Sequence, residues 1–187
     1  MNCIANLTLT DLENPRFVKT QLISYEQEGV KKTWETAQVH DSVAILIYHK
    51  GHDSFILVKQ FRPPVYLNNN DGFTYELCAG ICDKELTLAQ IASEEILEET
   101  GFLVQVQRLE KITSFYTAVG FAGSKQTVFY VQVDEKDRKH IGGGIEEEAI
   151  EVVEISRKEA YDFVLDESCA KTPGLMFSFM WWLKQNG

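Results

Sequence analysis

A lone amphipathic helix set between two runs of strands constrains this fold most. Leu88 to Thr100 reads LAQIASEEILEET. Thr87, with Gln90 three residues on, makes a capping-box pattern, and Gly101 stands where helices commonly end in a left-handed residue. Strand-like stretches precede it at 20–26, 30–38, 40–50, 53–61 and 73–80. The first two, joined at Gln27-Glu28-Gly29, read as a hairpin. RPPVY and LNNNDG between Arg62 and Gly72 read as loop, because two prolines and an Asn run disfavour regular structure. After the helix, strands are predicted near 102–108, 111–115 and 126–133 and over AIEVVEI, then helices at 157–166 and 172–185. The last helix is expected to be mostly buried through Leu175, Met176, Phe179, Met180, Trp181 and Leu183. Many strands, one helix, more strands and closing helices imply a mixed α+β sandwich rather than a βαβ parallel fold.

The helix carries an electrostatic oddity. EEILEETG, Glu94 to Gly101, places four glutamates in six residues with no basic residue. At ~100° per residue, Glu95, Glu98 and Glu99 fall on one arc with Leu88 and Ile91, flanked by Ala92 and Ile96. Glu94 lies on the more polar side beside Gln90. Glu94–Glu98 and Glu95–Glu99 are like-charge i,i+4 pairs, and a helix C-terminus disfavours acids further. A solvated acidic face normally interleaves Lys or Arg and points away from the apolar stripe; this one does neither. The cluster therefore points to a cation. Carboxylates without His or Cys suit Mg²⁺, with Mn²⁺ also possible, and Mg²⁺ held this way usually serves a substrate phosphate.

Charge and cysteine usage narrow the partners. A net charge of −10 argues against nucleic acid and anionic membrane as partners. No apolar run approaches the ~18 residues of a membrane span. The start shows no basic run followed by an apolar one, so no secretory signal is expected. Cys3, Cys78, Cys82 and Cys169 form no CxxC pair. They read as free thiols in a reducing cytosol, which gives the expectation of a cytoplasmic protein.

The stretch GICDKELTLAQIASEEILEETGF, Gly80 to Phe102, resembles the Nudix box, G-x5-E-x7-R-E-U-x-E-E-x-G-U with U apolar. Gly80, Glu95, Ile96, Glu98, Glu99, Gly101 and Phe102 match, seven of the nine fixed positions. Leu86 stands where the box has Glu, and Glu94 where it has Arg. Further along the chain, TWETAQVHDSVAILI, ILVKQFRPPVY, TYELCAGICD, GFAGSKQTVFYVQV, GGGIEEEAIEVVEI and KTPGLMFSFMWWL resemble the UDP-sugar pyrophosphatase subgroup, near the ADP-ribose pyrophosphatases.

The resemblance implies a Nudix fold, an α/β/α sandwich of mixed sheets. Residues 1–38 would be an N-terminal hairpin segment that packs on a second subunit of a homodimer, and 39–187 the hydrolase domain. It implies Mg²⁺-dependent hydrolysis of a nucleoside diphosphate sugar, UDP-glucose foremost. An ADP-ribose pyrophosphatase and a catalytically weak nucleotide-binding domain are the alternatives. By the same resemblance, Glu95, Glu99 and the Ala79 carbonyl would be metal ligands and Glu98 the third box carboxylate. Gly80 would let the chain pass close to the pyrophosphate. Glu148, with Glu147, would supply a late metal ligand or the general base, on a loop that the triple glycine frees to close. Arg62 would contact phosphate, Trp34 would stack on the base, and Lys125 would contact phosphate or ribose.

Overall fold

Val43–Ile47 is an unbroken apolar run, and it becomes the middle of the molecule, with every side chain buried. In a central strand both faces are covered, so alternation disappears. The computed structural model describes residues 4–10, 12–15, 18–145 and 148–186. The central strand is β3 (Ser42–His49). It pairs parallel with β8 (Ser124–Val133) and antiparallel with β4 (Ser54–Phe61) and β6 (Cys78–Ile81). Outward from these, β5 (Phe73–Glu76) and β9 (Glu151–Ser156) pair with β4, and β7 (Glu110–Thr117) pairs with β8. The result is a mixed seven-stranded sheet.

Helices cover both faces. Helix α2 (Leu88–Thr100) packs Ile91, Ala92 and Ile96 against Val43, Ile45, Ile47 and Phe129. On the other face, α3 (Ala160–Leu165) and α4 (Pro173–Asn186) bring Val164, Leu175, Phe179 and Trp182 against Ala44, Leu46, Phe55 and Leu57. This is the expected α/β/α sandwich. The hairpin, β1 (Lys19–Gln27) and β2 (Val30–Gln38), forms a separate two-stranded sheet. It touches the body through Ala37 N–H and Thr36 Oγ1, both 2.7 Å from the Phe121 carbonyl.

Four expectations need correction. Residues 63–69 form helix α1 (Pro63–Asn69), not loop. Its two prolines occupy the first turn, where a missing N–H costs nothing, and Asn70 closes it in the left-handed conformation. The stretch 73–80 is two strands broken at Leu77, one on β4 and one on β3. Residues 102–108 hold a single bridge, Phe102 to Arg138, and a 3₁₀ turn at Val106–Arg108 rather than a strand. In α4, Met176 and Met180 are exposed, and Trp182 makes the core contact instead.

Candidate active site

Helix α2 begins and ends as its caps dictate. Thr87 accepts the Gln90 N–H while the Gln90 side chain accepts the Thr87 N–H, and Gly101 ends the helix at φ +77°. The buried stripe runs Ile91, Ala92, Ile96, Glu99, Thr100. Glu99 thus lies within the packed face at 6% exposure, and Glu95 borders it half-buried. Leu88, expected on the same arc, is 38% exposed. Glu94, which stands where the box has arginine, faces outward and pairs with Lys84 of the preceding loop at 2.9 Å.

Strand β6 lies directly under these carboxylates. The Ala79 N–H donates to Glu99 Oε2 at 3.0 Å. In an antiparallel strand a residue's N–H and C=O point the same way, so the Ala79 carbonyl also faces α2. A Cβ at Gly80 would overlap the Glu95 carboxyl, so this glycine makes the room in which Glu95 packs against the strand. Both acids open into a cavity of about 400 Å³ that Arg62, Glu76, Gln126 and Glu148 also line. A larger cleft of about 600 Å³ lies between the hairpin and Phe121, with Glu35 its one ionisable group.

The electrostatics single out these two glutamates. Burial, reinforced by Glu98, pushes the Glu95 carboxyl up to about 7. Burial pushes Glu99 up to about 8 against the opposing effect of the Ala79 N–H. At neutral pH both compete for protons: Lys84 offsets only part of the rise at Glu95, and among the described residues no basic side chain bonds either carboxylate. The guanidinium that lines the cavity, Arg62, is engaged by another acid: Nε and Nη2 donate to the Glu76 carboxylate at 2.8 and 2.7 Å. Thr74 and Gln60 also donate to Glu76. The fork leaves Nη1 of Arg62 without a partner among the described residues.

The donor set fits a hard divalent ion. Glu95, Glu99, Glu148 and the Ala79 carbonyl are all oxygen donors, and among the described residues neither His nor Cys lines the cavity. A different group, His49, His52 and Glu135, brings ligand-type atoms within 4.8 Å of one another at the far end of β3. There His49 Nδ1 accepts the His52 N–H at 3.0 Å, which puts the proton of a neutral ring on Nε2, facing Glu135 at 3.3 Å. In this tautomer that nitrogen offers no lone pair to a metal; it is buried and, despite the nearby Glu135, makes no hydrogen bond among the described residues.

The structure thus brings Ala79, Gly80, Glu95, Glu99, Arg62 and Glu148 to one cavity. Glu98 does not line it. Glu147 lies outside the described residues, as does Cys3. Trp34 is on the exposed hairpin, its indole N–H donating to the Gly120 carbonyl at 2.8 Å. Lys125 is exposed, with its backbone N–H on Asp41. Its neighbour Gln126, on the opposite side of the strand, reaches the cavity and bonds Ser42 at 3.2 Å. Sequence reasoning missed Glu76 and Gln126. Thr74 and Glu76 alternate along β5 with the aromatics Phe73 and Tyr75, and that buried polar pair was the available signal.

Residues 38–169 match the NUDIX domain family model. The chain belongs to the Nudix family. It is 36% identical over 188 residues to the uridine diphosphate glucose pyrophosphatase of Bos taurus, covering 85% of each chain. It is 33% identical over 150 residues to a GDP-mannose pyrophosphatase of Cronobacter sakazakii, covering 80% of this chain and 77% of that one. A crystal structure of an ADP compounds hydrolase superposes with a TM-score of 0.71 at 19% identity, covering 94% of this Nudix chain and 91% of the other.

Proposed function

We propose that this Nudix protein hydrolyses the diphosphate of a nucleoside diphosphate sugar, with UDP-glucose the leading substrate. The carrying observation is the pair Glu95 and Glu99, half-buried and buried, packed on Gly80 and Ala79 in one cavity with no basic side chain of the described residues bonded to either. The relatives' activities support the substrate class. A divalent ion, Mg²⁺ in this reading, supplies charge neutralisation on the diphosphate oxygens when bound. Glu95, Glu99, Glu148 and the Ala79 carbonyl are the groups that would hold it. The free edge of Arg62, fixed by Glu76, faces a substrate phosphate. Gln126 and Ser42 give the cavity neutral hydrogen-bonding groups.

Hydrolysis joins a water oxygen to one phosphorus as the bond from that phosphorus to the bridging oxygen breaks. The products are a nucleoside monophosphate and a sugar 1-phosphate. A loop glutamate, Glu147 or Glu148, takes the water proton in this scheme. The test is a panel of UDP-glucose, UDP-galactose, GDP-mannose and ADP-ribose with Mg²⁺, products resolved by chromatography. Fast turnover of a UDP-sugar supports the reading; ADP-ribose cleaved far faster than any sugar nucleotide replaces it with an ADP-ribose pyrophosphatase.

The same reading includes a cytoplasmic homodimer built on the hairpin. The exposed Leu22 and Val30 on a two-stranded sheet with little support of its own favour such an interface. Light scattering that gives a monomer at micromolar concentration contradicts it. Trp34 and Lys125 are assigned to base and phosphate or ribose by resemblance alone. Trp34→Ala is expected to raise KM about 5- to 150-fold through lost stacking of ~1–3 kcal/mol. An unchanged KM makes Trp34 a packing residue of the hairpin.

A further inference from the structure

The C-terminal turn of α2 is closed by a segment some forty residues downstream, through backbone bonds. Lys139 N–H donates to the Gly101 carbonyl at 2.8 Å, Gly143 N–H to Glu99 at 2.8 Å and Gly144 N–H to Glu98 at 3.1 Å. These are carbonyls that a helix end leaves unpaired. Gly142, Gly143 and Gly144 all have positive φ, +76°, +115° and +84°. A Cβ on Gly142 would overlap the Glu99 carbonyl, and one on Gly101 would overlap the His140 carbonyl. Close approach and left-handed backbone together require glycine here.

The same segment carries Glu148. Its Oε2 accepts the Ile145 N–H at 3.0 Å, and its own N–H donates to the Ile145 carbonyl at 3.1 Å. A Cβ on Gly144 would overlap the Glu148 carboxylate. The chain that grips the carbonyls of Glu98 and Glu99 therefore also holds the Glu148 side chain. In this structure the glycine segment lies hydrogen-bonded on the helix end rather than as an open hinge.

We infer that Gly142, Gly143 and Gly144 are positioning residues: docked on the end of α2, they set the place of the Glu148 carboxylate relative to Glu95 and Glu99. The inference rests on reading the cavity as the hydrolytic site. A plain helix cap would stabilise the fold without touching turnover, and the two roles separate experimentally.

The first measurement is amide hydrogen exchange on the wild-type protein without substrate. The Gly143 and Gly144 amides exchange slowly if the segment is docked; exchange at the rate of a free chain overturns the inference. The second is kinetic. Gly142→Ala is expected to lower kcat about 100-fold, the cost of a displacement of about 1 Å at a reacting group, with KM little changed. Gly29→Ala is the strain-matched control, because Gly29 has the same φ of +76° with nothing within 4 Å. It should keep wild-type kcat. If Gly142→Ala does not fold, Gly144→Ala carries the test, since its Cβ meets the side chains of Glu148 and Ile150 rather than the helix. Wild-type kcat in the folded variants, or a loss that only tracks the unfolded fraction, overturns the inference. A wild type that cleaves no nucleoside diphosphate sugar removes the reading of the cavity and with it the positioning role, while the exchange measurement still decides whether the segment is docked.

Discussion

Two sets of acids in this molecule behave in opposite ways. Among the described residues away from the cavity, each perturbed carboxylate has a partner. Tyr48 and Arg157 hold Asp53 low, Arg138 holds Glu135 low, and Arg108 holds Asp137 low. In the cavity, Glu95 and Glu99 are pushed up by burial and by other glutamates. The chain has basic residues near enough to neutralise them, yet Arg62 is tied to Glu76 and Lys84 to Glu94. The difference teaches that the fold completes its structural ion pairs and leaves the charge of the cavity for something it does not encode.

The most severe test of that contrast removes one cavity acid. Glu99→Gln is expected to lower kcat about a thousandfold or more, the loss of several kcal/mol of charge stabilisation, while the fold persists. Product chromatography with Mg²⁺ reads it, and retained activity sinks the metal assignment. Next in size is the Arg62→Ala/Glu76→Gln double variant, which removes the guanidinium without stranding a buried acid. KM should rise about tenfold or more for every diphosphate substrate alike, on the scale of a charge-assisted hydrogen bond. A change confined to one sugar or base contradicts a phosphate contact.

The two sets also differ in the sign of their pH dependence. The folded pKa of Glu99 exceeds its ordinary 4.5, so the native state binds more protons than the unfolded chain between pH 4.5 and about 8. Its contribution to stability is present below that window and is lost as pH rises through it. Asp53 works the other way: its folded pKa is depressed, and its contribution is lost as pH falls below the ordinary carboxylate range. In EDTA, therefore, Tm of the wild type should fall by several degrees from pH 5 to 8, and Glu99→Gln should flatten that slope. Mg²⁺ with a nucleotide product should raise Tm most at the alkaline end. Coincident melts with EDTA and with Mg²⁺ plus nucleotide favour a merely solvated acidic face.

Much of this was legible beforehand because it depends on local rules. The cap at Thr87, the end at Gly101 and the placement of Glu99 on the packed face follow from spacing along one helix. What stayed hidden depends on residues distant in sequence. PPVYLNN becomes a helix because its prolines fall in the first turn, a matter of where the turn starts. Gly80 is needed because Glu95 packs over it, fifteen residues on. Gln126 rather than Lys125 reaches the cavity because of the parity of β8. The triple glycine suggests a hinge in sequence, and in space two of its N–H groups bond the carbonyls that end α2.

The smallest effect concerns the position where the box departs from its pattern. Lys84→Ala breaks an exposed pair with Glu94, so Tm should drop by about 2 °C or less, with kcat near wild type. A large loss of activity would mean that Lys84 organises the box in place of the missing arginine.

Calorimetric titration of Mg²⁺ into the protein with a nucleoside monophosphate present, at pH 7 in buffers of different ionisation enthalpy, shows whether a cation displaces protons from the cavity. Carboxyls raised to about 7 and about 8 must shed protons when a cation arrives. Binding should therefore release between about one and two protons per site, and clearly fewer in Glu99→Gln. Mg²⁺ that fails to bind, or that binds without proton release and equally well to Glu99→Gln, contradicts the account.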